Sequence, residues 1–167
     1  DIASCWHGGV IRFQEGTVTP VVWPQDLAWQ IVWSGNSAAT IDHISHFDEW
    51  REQSNLEPLT QLSRLSEELC VNPNMELIAA YQHALMTLDN AADLKIFSAE
   101  HQELVKIAAD FGLVYKPCGA GGGDIGIAFA DTKQQPTALE NFRTAATTAG
   151  FLCPTLEMAR HGVRFAQ

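Results

Sequence analysis

A glycine-rich stretch toward the C-terminal end, KPCGAGGGDIGIAF at 116–129, holds the residues best suited to bind an anion. Glycine lacks a Cβ and readily adopts positive φ, so a ligand can approach its main chain closely. Successive N–H groups in such a loop can form a concave nest for a phosphate or a carboxylate, and Lys116 would add a positive charge. The alternative is a tight connection between a helix and a strand, which short glycine motifs often are.

Residues 119–124, GAGGGD, match neither of two common nucleotide-binding motifs. A P-loop ends in Gly-Lys followed by Ser or Thr, and that ending is missing. A dinucleotide fingerprint opens directly into a helix, whereas these glycines precede an apolar segment typical of a strand. The residues alone therefore leave both the anion site and the structural turn open.

A pair of histidines, His43 and His46, lies near Asp42 and Asp48. Their i, i+3 spacing is compatible with metal ligation from one helix face. However, no cysteine or third histidine lies at ligand spacing, and such a cluster on an acidic helix is typical of a solvated face. We therefore expect no metal site here.

Composition and charge limit the classes of partner. The 167 residues are 46% hydrophobic and 18% charged, which is typical of a globular domain with a real core. The formal net charge of −10 argues against nucleic acid and against an anionic membrane surface as partners. A local site for a small anion remains compatible with this charge.

Four cysteines lie far apart and form no Cys-x-x-Cys motif, so a zinc ribbon or a redox pair is not expected. A reduced, cytoplasmic setting is the simpler interpretation. No apolar run approaches the roughly 20 residues that span a bilayer, and no signal peptide is visible.

Hydrophobic periodicity predicts strands in 9–34 and helices through the middle of the chain. The clearest helical stripe is Leu104, Ile107, Ala108 and Phe111, in a helix that Ser98 would cap.

After the glycines, the pattern predicts a strand at IGIAFA, then a helix with a capping box of Thr137 and Glu140, then one or two strands in 151–165. The tail order would be helix, glycine loop, strand, helix, strand. We expect an α+β fold, with an antiparallel or mixed sheet covered by helices on one face.

The glycine stretch resembles the third conserved motif of the GHMP kinases, the superfamily of galactokinase, homoserine kinase, mevalonate kinase and phosphomevalonate kinase. A Lys three residues before the first Gly, three consecutive glycines and then Asp look most like the phosphomevalonate kinase family. Two further stretches are similar to segments of that family, AWQIVWSGNSAAT at 28–40 and DIASCWHGGVIRF at 1–13. The resemblance covers nearly the whole chain.

This resemblance implies a division of the chain. Residues 28–167 would form the GHMP kinase C-terminal domain, which is ferredoxin-like, with an antiparallel sheet and helices. Residues 1–27 would be the last strands of the N-terminal domain. The family's GLGSS-type loop for the ATP triphosphate has no counterpart in the 167 residues. We therefore expect the N-terminal half of the kinase as a partner, and the isolated chain to be inactive.

The resemblance also implies an activity, namely phosphoryl transfer from ATP, with Mg²⁺, to a small phosphorylated substrate. Phosphomevalonate in the mevalonate route to isoprenoids is the best match. The alternatives within the enzyme class are a mevalonate kinase, against which Lys116 argues, and another GHMP kinase. A GHMP-like module that binds a ligand without turnover is the alternative from another class.

Site residues follow from the resemblance at matching positions. Asp1 falls where the family has its catalytic base or orienting carboxylate, although a solvated terminal Asp is the plain alternative. Lys116 would neutralise the substrate phosphate. Cys118 replaces the usual Ser, and its thiol is a weaker donor. The remaining loop residues would line the phosphate site: Gly119, Ala120, Gly121, Gly122 and Gly123. Asp124 is expected to be a turn residue, and 34–40 a structural cap.

Overall fold

The structure is a computed structural model that describes residues 2–37, 40–119 and 121–163, with the backbone alone at 40–44 and 53. Asp1 and Ala120 lie outside the described residues. No helix among the described residues is long and apolar enough to cross a membrane. In chain order the elements are α1 Ile2–His7, β1 Ile11–Gln14, β2 Thr17–Pro20, β3 Leu27–Trp33, α2 Thr40–Gln53, α3 Glu57–Val71, α4 Met75–Ala92, α5 Ala99–Asp110, β4 Val114–Pro117, β5 Ile125–Asp131 and α6 Ala138–Thr148.

Side-chain caps start two of the long helices. The Asn74 side chain accepts a hydrogen bond from the N–H of Leu77 at the start of α4. Ser98 caps α5 in the same way, as predicted. The capping box predicted at α6 is wrong, because the Thr137 side chain makes no cap hydrogen bond. Thr137 has φ −108° and ψ −2°, not the extended backbone that aims a capping oxygen at the first turn.

Two antiparallel sheets account for the strands. β1 and β2 form a hairpin, and the larger sheet has the order β3-β5-β4. A single bridge joins Leu152, after α6, to Trp33 at the free edge of β3. The larger sheet with its helices therefore follows the β-α-β-β-α-β order of the ferredoxin-like fold. One or two strands were predicted in 151–165. Among the described residues after α6, only this bridge at Leu152 forms.

Helices cover both faces of the larger sheet, so the prediction of one covered face is wrong. On one face, Leu104 of α5 and Phe142 of α6 pack with Val32 of β3 in the main core. On the other face, Ile78 of α4 packs against Leu27 and Phe129. Every strand carries apolar residues toward both sides, so each face needs a cover.

Two elements were not predicted. α1 is a six-residue helix at the start of the described chain. β4, with the sequence VYKP, lies between α5 and the glycines. The predicted order of helix, glycine loop, strand, helix and strand therefore lacked β4, which lies between the helix and the glycine loop. Phe111, which was predicted to lie in the α5 stripe, is half-buried and occupies the C-cap of that helix.

The core makes a stability prediction. Phe142 is 0% exposed, and its ring centroid lies 6.5 Å from that of Tyr115. Phe142→Ala should therefore lower the free energy of unfolding by about 3–5 kcal/mol through cavity formation. Phe111→Ala should cost clearly less, since Phe111 is only half-buried. Urea denaturation of both variants measures the difference, and equal losses would contradict this description of the core.

Candidate functional site

The glycine segment 118–124 is the connection of the β4–β5 hairpin. Pro117 pairs with Gly126 at the end of the ladder, and the Cys118 N–H donates to the Ile125 carbonyl at 2.9 Å. Three of the glycines have positive φ: Gly119 at 62°, Gly121 at 75° and Gly122 at 74°. These values explain why glycine is needed in the turn. They do not by themselves require a ligand.

Gly121 is needed for a second reason, the close approach of the loop to Ile96. A Cβ at position 121 would lie 2.7 Å from the Ile96 Cα and 2.8 Å from its carbonyl oxygen. The neighbouring Gly122 N–H donates to that same oxygen at 2.9 Å. Part of the bare backbone therefore serves contact between two segments of this chain.

The backbone at Ile96 is held in turn by Asp89, a buried carboxylate of α4. Its Oδ1 accepts from the Ile96 N–H at 2.8 Å, and its Oδ2 accepts from the Phe97 N–H at 2.9 Å. Asp89 was not predicted as a site residue. The available signal was an acidic residue within the apolar stripe of a helix, because a carboxylate is buried only where donors meet it.

A second support of the loop is His101 of α5, which is 0% exposed. Its Nε2 lies 2.9 Å from the Gly123 carbonyl oxygen, and its Nδ1 lies 2.8 Å from the Tyr115 hydroxyl oxygen. Burial lowers the pKa of the His101 imidazole. Burial also raises the pKa of the Tyr115 phenol. Both groups are therefore neutral near neutral pH.

Gly126 makes room for this pair. A Cβ at position 126 would lie about 2.1 Å from the Tyr115 hydroxyl oxygen. The glycine in the strand IGIAFA is thus explained by the tyrosine beside it on β4. Sequence analysis had assigned no role to His101, to Tyr115 or to Gly126.

Lys116 lies on the opposite face of β4 from Tyr115, in register with Ile127. Its Nζ donates to the carbonyl of Pro117 at 2.8 Å and lies 5.7 Å from the centroid of the Tyr81 ring. Such a distance permits a cation–π interaction. The ammonium group is thereby held beside the first residues of the glycine loop, and the side chain is half-buried.

Tyr81 also lines a cavity of about 490 Å³ between the β1–β2 hairpin and helices α3 and α4. Arg12 and Glu67 contribute charges to the same cavity, with Arg12 Nη2 and Glu67 Oε1 3.5 Å apart. The cavity is open to solvent and is lined by both polar and apolar side chains. Tyr81 contacts both the cavity and the Lys116 ammonium.

Cys118 begins the loop as a half-buried thiol. Burial raises its pKa, and the nearby Lys116 charge opposes this effect only in part. A thiol with a raised pKa is a poor nucleophile at neutral pH. The Cys118 thiol can still contribute a weak hydrogen bond.

Two backbone N–H groups of the loop, those of Gly119 and Gly123, have no hydrogen-bond partner among the described residues. Gly119 is exposed, and a Cβ there would meet nothing within 4 Å. The candidate groups for binding an anion are the Lys116 ammonium, the N–H of the exposed Gly119 and the N–H of Gly123, a buried residue. Ala120, between the two glycines, lies outside the described residues.

Asp124 closes the loop as a turn residue with φ 55°, in agreement with the expectation for it. Its N–H donates to the Asn36 carbonyl at 2.6 Å, and its own carbonyl accepts from the Ser34 N–H at 2.7 Å. The segment after β3 is thus tied to the loop. Asn36 also donates to Glu100 at 2.8 Å, and hydrogen bonding within this cap lowers the pKa of the Glu100 carboxyl.

The predicted solvated face on α2 is described only in part. His46 Nε2 lies 2.9 Å from the Ala92 carbonyl oxygen at the end of α4. The side chain of His43 lies outside the description. Residues 2–37, 45–52, 54–119 and 121–163 contain no group of three His, Cys, Asp or Glu that could hold a metal ion.

Comparisons with known proteins give a sequence relative and structural neighbours, while no family model matches. The chain is 29% identical over 150 residues to the phosphomevalonate kinase of Streptomyces sp. (strain CL190), over 84% of this chain and 40% of that relative. It therefore spans less than half the length of this curated relative.

Two solved structures share the fold. Streptococcus pneumoniae phosphomevalonate kinase, in complex with phosphomevalonate and AMPPNP, has a TM-score of 0.67 at 19% identity, over 85% of this chain and 42% of that one. Homoserine kinase from Cytophaga hutchinsonii has a TM-score of 0.68 at 13% identity, over 97% of this chain and 52% of that one. The chain is thus similar in sequence to the Streptomyces phosphomevalonate kinase, and it shares the fold of the matched half of these GHMP kinases.

Proposed function

We propose that the chain is the C-terminal part of an ATP-dependent kinase that phosphorylates phosphomevalonate. The observation that carries this proposal is the Lys116 ammonium, held beside a glycine loop in which the N–H groups of Gly119 and Gly123 have no partner among the described residues. The sequence relative is a phosphomevalonate kinase, and a structural neighbour was solved with phosphomevalonate and AMPPNP. This support concerns the reaction class more directly than the substrate.

The proposed roles follow the geometry. Lys116 meets the phosphate already on the substrate, as a point charge. The N–H groups of Gly119 and Gly123 donate to phosphate oxygens, where charge-assisted bonds to backbone N–H are strong. The terminal phosphoryl group of ATP passes to an oxygen of the substrate phosphate, and ADP leaves. Catalysis of this kind is mainly positioning and charge stabilisation. Asp1 as base or orienting carboxylate remains a proposal.

Other features of the complete protein are part of the same proposal. The division into 1–27 and 28–167 is compatible with the separation of the β1–β2 hairpin from the larger sheet. The N-terminal half would supply the triphosphate loop for ATP. Mg²⁺ would neutralise the phosphates there. The cytoplasm is the proposed location.

A second candidate is another acceptor, since a homoserine kinase shares the fold over nearly the whole chain. The test is an assay of ADP release by the complete protein with phosphomevalonate, mevalonate and homoserine as acceptors. We expect phosphomevalonate to be preferred in kcat/KM by at least about tenfold, a difference of about 1.4 kcal/mol. Preference for another acceptor would refute the substrate, and binding without turnover would favour the non-catalytic module.

Lys116→Met tests the phosphate contact, because it keeps the bulk of the side-chain stem and removes the charge. The KM for phosphomevalonate should rise roughly 10- to 150-fold, corresponding to about 1.5–3 kcal/mol for a charged hydrogen bond. The KM for ATP should change little. Lys106→Met, on the exposed side of α5, is the matched control. Unchanged kinetics with phosphomevalonate would show that Lys116 does not meet the substrate.

Gly121→Ala and Gly119→Ala separate the two uses of glycine in the loop. At position 119 the added methyl meets open space, so the cost should be that of positive φ alone, about 1–2 kcal/mol. At position 121 the methyl also meets the Ile96 backbone, so the loss in free energy of unfolding should be larger. Gly121→Ala should further depress both kcat and substrate affinity by displacing the loop. Chemical denaturation and steady-state kinetics measure both effects, and equal stability losses would contradict the contact with Ile96.

A further inference from the structure

The buried pair of His101 and Tyr115 has no role in the proposed phosphoryl transfer, yet it reaches the glycine loop. The two rings lie on different elements, α5 and β4, with centroids 5.9 Å apart. Both side chains are 0% exposed. Among the described residues, the imidazole of His101 and the hydroxyl of Tyr115 form a hydrogen bond to one main-chain atom, the Gly123 carbonyl oxygen.

The hydrogen bonds assign the tautomer of His101. The Gly123 carbonyl oxygen can only accept, so Nε2 carries the hydrogen and donates to it. Nδ1 is then an acceptor in the neutral ring, and it accepts from the Tyr115 hydroxyl. All groups are satisfied with an uncharged imidazole, which agrees with the lowering of its pKa by burial. The nearby carboxylates of Glu100 and Asp124 favour protonation and are outweighed by that burial.

This hydrogen bond fixes one peptide plane of the loop. The plane between Gly123 and Asp124 is held at its carbonyl end by His101 and at its N–H end by Asn36, at 2.9 and 2.6 Å. The plane between Gly121 and Gly122 is held by the Ile96 carbonyl. Peptide planes are rigid, so only φ and ψ remain between these anchors. The peptide plane between Gly122 and Gly123 lies between these two anchored planes. It carries the Gly123 N–H, which has no partner among the described residues.

We propose that His101 is a positioning residue that aims the Gly123 N–H at an oxygen of the bound phosphate. This inference rests on the proposed function of the loop. Fixing a donor before the ligand arrives avoids the entropy of ordering it on binding. The neutral ring suits this task, because its two hydrogen bonds use one nitrogen as the donor to Gly123 and the other as the acceptor from Tyr115.

A pair of variants separates positioning from stability. His101→Leu leaves the Tyr115 hydroxyl and the Gly123 carbonyl without their partner, so the variant should be destabilised. The double variant His101→Leu with Tyr115→Phe also removes the orphaned hydroxyl, so its stability should recover in part. Its loop still lacks the bond to Gly123. Phe142→Leu is the control, since it disturbs the packing of the same core against Tyr115 but removes none of the hydrogen bonds to the loop.

The readout is the Gly123 amide resonance in glycine-labelled full-length protein, titrated with inorganic phosphate. In the wild type this resonance should shift. In both His101 variants the phosphate dissociation constant should rise by roughly tenfold, the equivalent of losing one aligned donor. The Phe142→Leu control should bind phosphate as the wild type does. In kinetics, both His101 variants should raise the KM for phosphomevalonate while the KM for ATP stays near its original value.

The outcomes distinguish this inference from the proposed function. If the stable double variant binds phosphate as tightly as the wild type, or if phosphate leaves the wild-type Gly123 resonance unmoved, His101 is not a positioning residue. If phosphate shifts Gly123 in a His101-dependent way while no acceptor is phosphorylated, positioning is supported and the kinase function is refuted.

Discussion

The close contact between Gly121 and the backbone of Ile96 is the constraint on which the candidate site depends. It allows the hairpin loop to lie directly on the segment between α4 and α5, without an intervening side chain. That segment would carry buried, unsatisfied N–H groups if Asp89 did not accept from them. The carboxylate of one helix therefore determines the position of a loop that follows β4, two elements later. A larger residue at 121 would separate the two segments and release the Gly122 hydrogen bond.

The alternation of side chains along β4 places two adjacent residues of this strand on opposite faces of the sheet. Tyr115 points into the core under α5 and α6, where it meets His101. Lys116, the next residue, points to the α4 side, where it meets Tyr81. Adjacent strand residues always face opposite sides of a sheet. A supporting residue and a charged residue can therefore sit next to each other in sequence without competing for the same space.

The relationship to the GHMP kinases and the particular residues of this chain support different conclusions. The fold and the sequence relative support a kinase of this superfamily, because the shared features extend over most of the chain. The proposed substrate depends on fewer atoms, mainly the Lys116 ammonium and two N–H groups. Fold alone does not determine a substrate, since one scaffold serves many chemistries. Cys118 weakens the donor set at the start of the loop relative to Ser, so the backbone and Lys116 must provide most of the attraction for an anion.

Local patterns were enough to predict most of the helices, the strands β1, β2, β3 and β5, and the glycine loop. Periodicity and turn composition depend on neighbours within a few residues, and those neighbours are visible in the sequence. The kinase resemblance likewise came from a local motif. Its catalytic assignments at Asp1 and at the loop stay predictions, and Asp1 and Ala120 lie outside the described residues.

Tertiary structure alone decided the rest. The four residues of β4 have too little local signal to form a strand by themselves, and they do so because β5 offers a complete ladder. His101 is 22 residues from Gly123 and 14 from Tyr115, and Gly121 is 25 residues (121 − 96) from the backbone that requires it to be glycine. Such partners are chosen by the folding of distant segments onto one another. No local pattern specifies them, because a buried histidine or aspartate looks the same in sequence whether its partner is water or a loop far along the chain.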